Sequence, residues 1–436
     1  METTMEVLRL AGRAAVQLVS QPFYYIAVLF IILQYTRQIR MERQLFAVKL
    51  RHWPGLVLKA LLAGVAIGIG ASFAGAFLGF ALSAQAVIWL WAVAALLMLV
   101  RIRYLCFAYS AGIIALLQWL LGWTTLAERD DWIGSLAVSL AGIDAAGLLA
   151  LVALLHLAEA LLVRWQGDRL STPLFVEGKR GKLVGGYMLQ GFWPVPLLML
   201  VPSTAEGAQA IELPWTPLFG TAAGSLGWTV IALPMIIGFT EMTRSMLPKE
   251  KARHAARGLL IYSAALAAAA VLAWWQSALL PAAALVSIML HEAMIWRSRY
   301  LESARTPLYV HDARGLRILG VVPGTPADAM GLAAGEIVQK VNGVRVRTKE
   351  ELYEALVQNS AFCKLEVLNN EGELKFAQRA RYAGEHHQLG VILAPDEQAN
   401  FYASSGPASL IGLLRSTRVS SRRGQAAASG KERAEV

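Results

Sequence analysis

Residues 315–346 read GLRILGVVPGTPADAMGLAAGEIVQKVNGVRV, and this stretch decides the fold of the C-terminal part of the chain. A strand over 315–321 is followed by a turn at 323–326, because proline and glycine together mark tight turns. A short helix then ends at Gly331, since glycine commonly terminates helices. The Asn-Gly pair near the end of the stretch predicts a tight hairpin turn. The pattern therefore predicts a small domain of short strands with little helix.

The same pattern continues towards the C-terminus. Thr348 and Glu351 have the spacing of a capping box, which predicts that a helix begins there and runs over 349–358. Strands follow at 362–368 and 374–379, separated by an Asn- and Gly-containing turn. We therefore expect these elements to complete a small α/β domain.

This series of strand, Pro-Gly turn, short helix ending in Gly-Leu, Gly-acidic turn and Asn-Gly strand resembles a PDZ domain. We place the domain at 306–396. The resemblance implies that an extended peptide, usually a free C-terminus, adds a strand to the sheet edge beside a helix. Backbone N–H groups of a glycine-containing loop would then bind the peptide carboxylate.

The loop of the expected peptide site lies late in the domain. Residues 308–313, ahead of the quoted stretch, lack a match to it, whereas Leu-Gly at 389–390 fits a permuted carboxylate loop followed by a receiving strand at 391–393. An ordinary terminal strand is the alternative. The predicted peptide-binding residues, in the loop, the strand and the helix, are Leu389, Gly390, Val391, Ile392, Leu352, Tyr353 and Leu356.

The chain upstream of the domain is much more apolar. Over the whole chain 56% of the residues are hydrophobic and 16% are charged, whereas soluble domains average about a quarter charged residues. We therefore predict a polytopic α-helical membrane domain over 1–300, with about eight or nine spans of about 20 residues. The candidate spans lie at about 16–36, 55–81, 84–100, 104–122, 133–162, 187–202, 217–240, 257–275 and 278–296.

The distribution of charge predicts how this membrane domain is oriented. Basic loops at 37–51, 101–103, 164–182 and 244–257 alternate with acidic or neutral ones. Under the positive-inside rule this alternation places the PDZ domain in the cytoplasm. The net charge of +10 is explained by these short loops, so no nucleic-acid partner is expected. The remaining residues, 397–436, predict a disordered basic tail that can contact membrane lipid.

Small residues recur at helical spacing in the second candidate span. We interpret this stripe as a surface for close helix–helix packing, because small residues let two backbones approach. A phosphate-binding loop would instead need a strand–turn–helix context. The stripe consists of Gly64, Gly68, Ser72, Gly75 and Gly79.

Several ionisable side chains lie in the predicted spans. His291-Glu292 begins a sequence similar to the zinc-protease motif HExxH, but Ile295 replaces the second histidine and leaves the metal without its adjacent ligand. We therefore expect no catalytic residues, no metal and no cofactor. The roles of these groups stay open between hydrogen bonding in the bundle and proton or metal handling: Asp144, His156, Glu159, His291 and Glu292.

Many spans followed by one cytoplasmic PDZ domain resemble the MinJ family, polytopic topological determinants of cell division in Gram-positive bacteria. The local likeness is in the soluble part, in PGTPADAMGL, ELYEAL, AFCKLEVLNNEGE and HHQLG. The membrane half resembles the family only in layout.

The resemblance implies a non-enzymatic, multi-pass adaptor in the cell membrane, enriched at division septa and cell poles. Such an adaptor links the polar scaffold protein DivIVA to MinD and so positions the division inhibitor formed with MinC. Two alternatives remain from the residues alone. The first is a PDZ-containing membrane protease or its regulatory relative, and the second is a signalling or secretion scaffold that uses the same groove.

Overall fold

The computed structural model describes residues 2–80, 82–178, 181–203, 211–219, 227–359, 361–380, 382, 389–396, 399, 401–403 and 419–421. The helices are α1 (Glu2–Ser20), α2 (Pro22–Phe46), α3 (Trp53–Leu78), α4 (Ala84–Val100), α5 (Phe107–Leu121), α6 (Trp132–Ala141), α7 (Ala145–Gln166), α8 (Pro248–Trp275), α9 (Leu280–Leu285), α10 (His291–Ala304), α11 (Pro326–Ala329) and α12 (Lys349–Gln358). The strands are β1 (Ser171–Glu177), β2 (Leu183–Pro202), β3 (Trp228–Thr243), β4 (Leu316–Val321), β5 (Ile337–Val341), β6 (Val344–Arg345), β7 (Phe362–Leu368), β8 (Leu374–Ala380), β9 (Val391–Leu393), β10 (Phe401–Ala403) and β11 (Val419–Ser421).

Within the described residues, four helical segments are long and apolar enough to cross a membrane. Counted as one span, α1 and α2 make a fifth, although they are bent by 59°. The apolar helices α4, α5 and α6 have 17, 15 and 10 residues, fewer than the roughly 20 of a typical span. The predicted count of about eight or nine spans is therefore not confirmed. The four long segments are Trp53–Leu78, Ala145–Gln166, Pro248–Trp275 and Ser277–Ala304.

The candidate span 133–162 is divided into two helices, α6 and α7. Asp144 lies at the break, where its Oδ1 accepts a hydrogen bond from the N–H of Gly147 at 2.9 Å. An aspartate in this position satisfies a backbone donor that the first helical turn leaves unpaired. The role of Asp144, left open by the sequence, is therefore that of a helix cap.

Two candidate spans, 187–202 and 217–240, are wrong as helices. The first lies inside β2, and the described part of the second forms most of β3. The sheet order is β1-β2-β3, with antiparallel pairing throughout. All-apolar strands are as hydrophobic as membrane helices, so hydropathy alone did not distinguish them.

Prolines explain why this segment forms strands. Pro194 and Pro196 lie in the middle of β2, and Pro196 pairs with Pro234 of β3. An interior proline costs a helix about 3 kcal/mol, because it removes a hydrogen bond and clashes with the preceding turn. β1 pairs only with the first part of β2, up to Leu189. Both prolines therefore lie where β2 has β3 as its only strand partner, which is the part of a sheet that tolerates proline.

The small-residue stripe of α3 packs against this proline-containing part of β2. A Cβ atom on Gly64 or Gly68 would collide with the backbone of Pro194 or Pro196. Next to them, the Leu198 N–H donates to Ser72 Oγ at 2.8 Å. The stripe is therefore a close-packing surface, as predicted, but the prediction that it packs against another helix is wrong, because it packs against strand β2. This helix covers the backbone edge that would otherwise remain unpaired in an apolar surrounding.

The C-terminal domain has the expected elements. Its sheet order is β8-β7-β5-β4-β9, with β6 paired to β5. The predicted capping box of α12 is present, with the Glu351 N–H donating to Thr348 Oγ1 at 3.2 Å. Asn342 and Gly343 have φ values of 50° and 84°, as a two-residue hairpin turn between β5 and β6 requires.

This domain packs directly on the three-stranded sheet. The Gly185 N–H of β2 donates to the Tyr309 carbonyl at 2.9 Å, and the Tyr187 hydroxyl donates to the Leu319 carbonyl. Tyr309 is fully buried in the same hydrophobic cluster as the helical bundle. The two parts of the chain therefore share a core.

The tail differs in part from the predicted disorder. β10 and β11 pair as a short antiparallel ladder, and Tyr402 and Ala403 are buried. Ala403 contacts the apolar face of β1 through a cluster with Leu174 and Val176. Tyr402 is aromatic, and aromatic residues favour strands that pack on an apolar surface such as this face of β1. The rest of 397–436, apart from Ala399, lies outside the described residues.

Candidate peptide-binding groove

A cleft of 670 Å³ lies between β9 and α12. Within the described part of the chain, β9 is the last strand of its sheet and pairs with β4 on one side. An edge strand next to a helix is the arrangement in which a peptide can add one further strand. The cleft therefore has the place and the size of a peptide groove.

The backbone of β9 offers hydrogen-bonding groups to this cleft. The Val322 N–H donates to the Gly390 carbonyl at 2.8 Å, and the Ala394 N–H donates to the Arg317 carbonyl at 2.9 Å. These bonds direct residues 390 and 394 towards β4. Backbone groups alternate in direction along a strand, so those of Val391 and Leu393 point to the open edge.

The loop before β9 has the conformation that a carboxylate site needs. Leu389 and Gly390 have φ values of 58° and 81°. The Leu389 carbonyl accepts from the Ala327 N–H at 2.9 Å. Because the N–H and the C=O of a trans peptide point in opposite directions, the N–H groups of Gly390 and Val391 point away from α11 and β4. A Cβ on Gly390 would also clash with the Thr325 side chain.

The structure brings six of the seven predicted residues to the cleft. Leu389 is the exception, because it is buried in the domain core and contributes through its backbone. Leu352 and Leu356 are nearly buried on the cleft side of α12, whereas Tyr353 is 45% exposed. The residues that line the cleft are Leu352, Tyr353, Leu356, Gly390, Val391 and Ile392.

The opposite wall was not predicted, since it comes from the membrane part of the chain. Leu45, Phe46 and Val48 lie at and after the end of α2, and Phe175 lies in β1. The rings of Phe46 and Phe175 contact edge to face, with centroids 5.2 Å apart. The sequence signal for this wall was the apolar group Leu45, Phe46 and Val48 inside the basic loop 37–51. Such a group does not indicate which part of the chain it contacts. The groove is therefore formed by two parts of the chain, with one wall from the PDZ domain and the opposite wall from α2 and β1.

His311 lines one end of the cleft beside Asp396. Its Nδ1 accepts the Arg317 N–H at 3.1 Å. Burial lowers the pKa of His311 below 6.5 and outweighs the opposing effects of a hydrogen bond with the Ala394 backbone and of the Asp396 and Asp312 carboxylates, whereas Arg317 adds only a small lowering. The neutral imidazole is therefore the form that accepts the hydrogen bond from the Arg317 N–H of β4.

The pH dependence of stability should follow from His311. Because the folded-state pKa is lowered, the contribution to stability is complete above pH 6.5 and is lost as the pH falls through the folded value. We expect the thermal unfolding temperature of the detergent-solubilised protein to fall more steeply below pH 6.5 than that of His311→Asn, which keeps an acceptor but does not titrate. Parallel curves for the two proteins would contradict this role.

Comparison with known proteins identifies the PDZ domain and related whole proteins. The family described as PDZ domain matches residues 317–367. The "Cell division topological determinant MinJ" of Bacillus subtilis (strain 168) is 34% identical over 239 residues, which are 54% of this chain and 58% of that protein. The "Probable cell division topological determinant MinJ" of Lacticaseibacillus paracasei is 33% identical over 288 residues, which are 62% of this chain and 73% of that protein.

A protein of the same name from Lacticaseibacillus casei (strain BD-II) has the same identity and coverage. The match thus spans less than two thirds of the Bacillus relative and nearly three quarters of the other two. It is too long to rest on the PDZ domain alone, so it includes part of the membrane half. With its apolar helices and its C-terminal PDZ domain, this chain belongs to the MinJ family of cell division topological determinants.

Proposed function

We propose that this chain is a multi-pass membrane adaptor that recruits division-site selection proteins through the groove between β9 and α12. The proposal rests on the edge of β9, with which no strand other than β4 pairs among the described residues, and on the backbone groups of Val391 and Leu393, which point from this edge towards a cleft that can hold a peptide strand. Main-chain pairing gives such a site its affinity, and the side pockets give it specificity.

The groove and the membrane part together suit an adaptor. The groove wall formed by Leu45, Phe46 and Val48 lies at and just after the end of α2, so a bound partner would lie close to the bilayer surface. Following the family resemblance, the partners that we propose are DivIVA and MinD, with MinC positioned through MinD. The PDZ domain would be cytoplasmic, and the protein would be enriched at septa and poles.

Contacts of Glu292 favour an adaptor over the membrane protease. Its Oε1 accepts the Tyr109 hydroxyl at 2.8 Å and pairs with Arg103 at 2.9 Å. The carboxylate that would activate water is therefore engaged, and Ile295 offers no second ligand on the same helix. A signalling or secretion scaffold would use the same groove, and partner identity separates it from the division role.

Tyr353→Ala should weaken partner binding without unfolding the domain. Tyr353 lines the cleft and is half exposed, whereas Val357, one turn later on α12, is exposed and does not line it. Loss of an aromatic contact at the centre of an interface costs about 1–2 kcal/mol, or roughly 5- to 30-fold in Kd. Co-purification of DivIVA and MinD with full-length Tyr353→Ala measures this loss, and Val357→Ala is the matched control.

Localisation gives the second readout. A fluorescent fusion of the parent protein should concentrate at septa and poles and should lose this pattern when DivIVA is deleted. Tyr353→Ala should weaken the pattern and Val357→Ala should keep it. A uniform membrane signal for the parent, or equal partner recovery with both variants, would overturn the proposal.

A further inference from the structure

Three side chains of types that can ligate a metal come from distant parts of the chain and meet inside the helical bundle. Cys106 precedes α5, His156 lies in α7 and His291 begins α10. Their ligand atoms all lie within 4.8 Å of one another. Cys106 Sγ is 3.4 Å from His156 Nε2 and 3.7 Å from His291 Nε2. Both histidines are buried.

Hydrogen bonds fix how the two imidazoles are protonated. His156 Nδ1 is 2.8 Å from the Val152 carbonyl, which only accepts, so Nδ1 carries the proton. His291 Nδ1 is 3.0 Å from the Tyr109 hydroxyl, whose own proton is donated to Glu292 at 2.8 Å. The Tyr109 oxygen therefore accepts from His291. In both neutral rings Nε2 keeps a lone pair that faces Cys106.

Without a cation, these three side chains cannot satisfy all their hydrogen-bonding groups. Two nitrogen lone pairs converge on one thiol, and a single S–H can satisfy only one of them at a time. A buried acceptor left unpaired destabilises the fold. A metal ion bound to the thiolate and to both Nε2 atoms satisfies all three groups at once.

Both sulfur–nitrogen distances fit a tetrahedral metal. With Zn–S of about 2.3 Å and Zn–N of about 2.0–2.1 Å, a tetrahedral angle places sulfur and nitrogen about 3.6 Å apart. The two observed sulfur–nitrogen distances, 3.4 and 3.7 Å, lie on either side of this value. The outer contacts also match a metal site, in which ligating histidines donate their other N–H to a carbonyl or to a carboxylate-linked group.

The helical turn before His291 also indicates a functional site here. Residues Val286–Leu290 form a π-helical turn directly ahead of it, and such turns occur frequently at functional sites. The extra residue changes the direction in which the following side chains point. α10 leads directly into the PDZ domain, so a bound ion would tie this helix to α5 and α7.

We propose that Cys106, His156 and His291 bind a thiolate- and imidazole-preferring transition metal ion, with Zn²⁺ as the ion whose bond lengths fit. The proposal does not depend on the adaptor function. It differs from the expectation of no metal, which rested on the missing histidine at Ile295. The additional ligands come from other helices.

Metal content of the purified full-length protein tests the site. We expect close to one equivalent of zinc by elemental analysis, and Co²⁺ added to the metal-free protein should produce a thiolate-to-cobalt charge-transfer band. His156→Gln and Cys106→Ser should lose both signals. Tyr109→Phe keeps all three ligands but removes the outer contact of His291, and should lower the affinity for Co²⁺ by about 10- to 100-fold.

The control is His254→Gln, because His254 makes the same Nδ1 contact to a carbonyl four residues earlier, at 2.9 Å, but is not part of the cluster. It should keep full metal content. The Co²⁺ titration of the unmodified protein does not require any variant to fold. No charge-transfer band in that titration, or metal content unchanged in Cys106→Ser and His156→Gln, would overturn the proposal.

Discussion

Gly68→Val should prevent the membrane part from folding normally. A Cβ at this position would lie 2.5 Å from the Pro196 carbonyl oxygen and 3.0 Å from its Cδ, closer than non-bonded atoms pack. Valine adds two further carbons, so α3 and β2 must separate. Overpacking costs about 1–3 kcal/mol, and separation also breaks the hydrogen bond from Leu198 to Ser72, worth about 1 kcal/mol.

The matched control is Gly70→Val on the same helix. A Cβ on Gly70 meets nothing within 4 Å, and the change in helix propensity is the same. We expect the yield of monodisperse protein in detergent and the thermal unfolding temperature to fall sharply for Gly68→Val and to stay near the parent for Gly70→Val. Equal behaviour of the two variants would mean that α3 does not rest on β2.

Lys251→Met should destabilise the protein strongly. The Lys251 side chain is 3% exposed, and its Nζ lies 2.8 Å from Glu241 and 3.9 Å from Glu302. It also donates to Ser298 at 2.9 Å. Removing one partner from a buried ion pair leaves an uncompensated charge and costs about 3–5 kcal/mol, which is at least a 100-fold change in the ratio of folded to unfolded protein.

The effect should be specific to the buried lysine. Lys249 lies two residues earlier on α8 and is exposed, so Lys249→Met should change the unfolding temperature little. Adding Glu241→Gln to Lys251→Met should recover part of the loss, because the stranded carboxylate is removed. If the double variant were less stable than Lys251→Met alone, the ion pair would not be the source of the effect.

The PDZ domain could be predicted because its signals are local. The capping pair Thr348 and Glu351, the Asn-Gly hairpin and the Pro-Gly turn each act within a few residues, so their meaning does not depend on distant parts of the chain. The placement of Val391 beside α12 is not local, and it could be predicted only through the resemblance to PDZ domains.

The sheet of the membrane part was missed because the spans were assigned from the mean hydropathy of each window, and the prolines within the windows were not taken into account. The windows over β2 and β3 are apolar enough to suggest spans, whereas Pro194, Pro196 and Pro234 argue against a helix in each. The stripe in α3 was identified correctly as a close-packing surface. Its partner could not be identified, because small residues admit a helix or a strand equally well.

Sequence patterns indicated an apolar helical part and a PDZ domain, because both depend on composition and on interactions between near neighbours. The carboxylate loop at Gly390 stays a prediction that the resemblance to PDZ domains implies. The folded structure was needed to find that Phe46 and Phe175 line the cleft, that Lys251 joins three elements, and that Cys106, His156 and His291 meet. The physical reason is that each of these groupings depends on packing between segments far apart in the chain, and spacing along a sequence describes geometry only within one helix or strand.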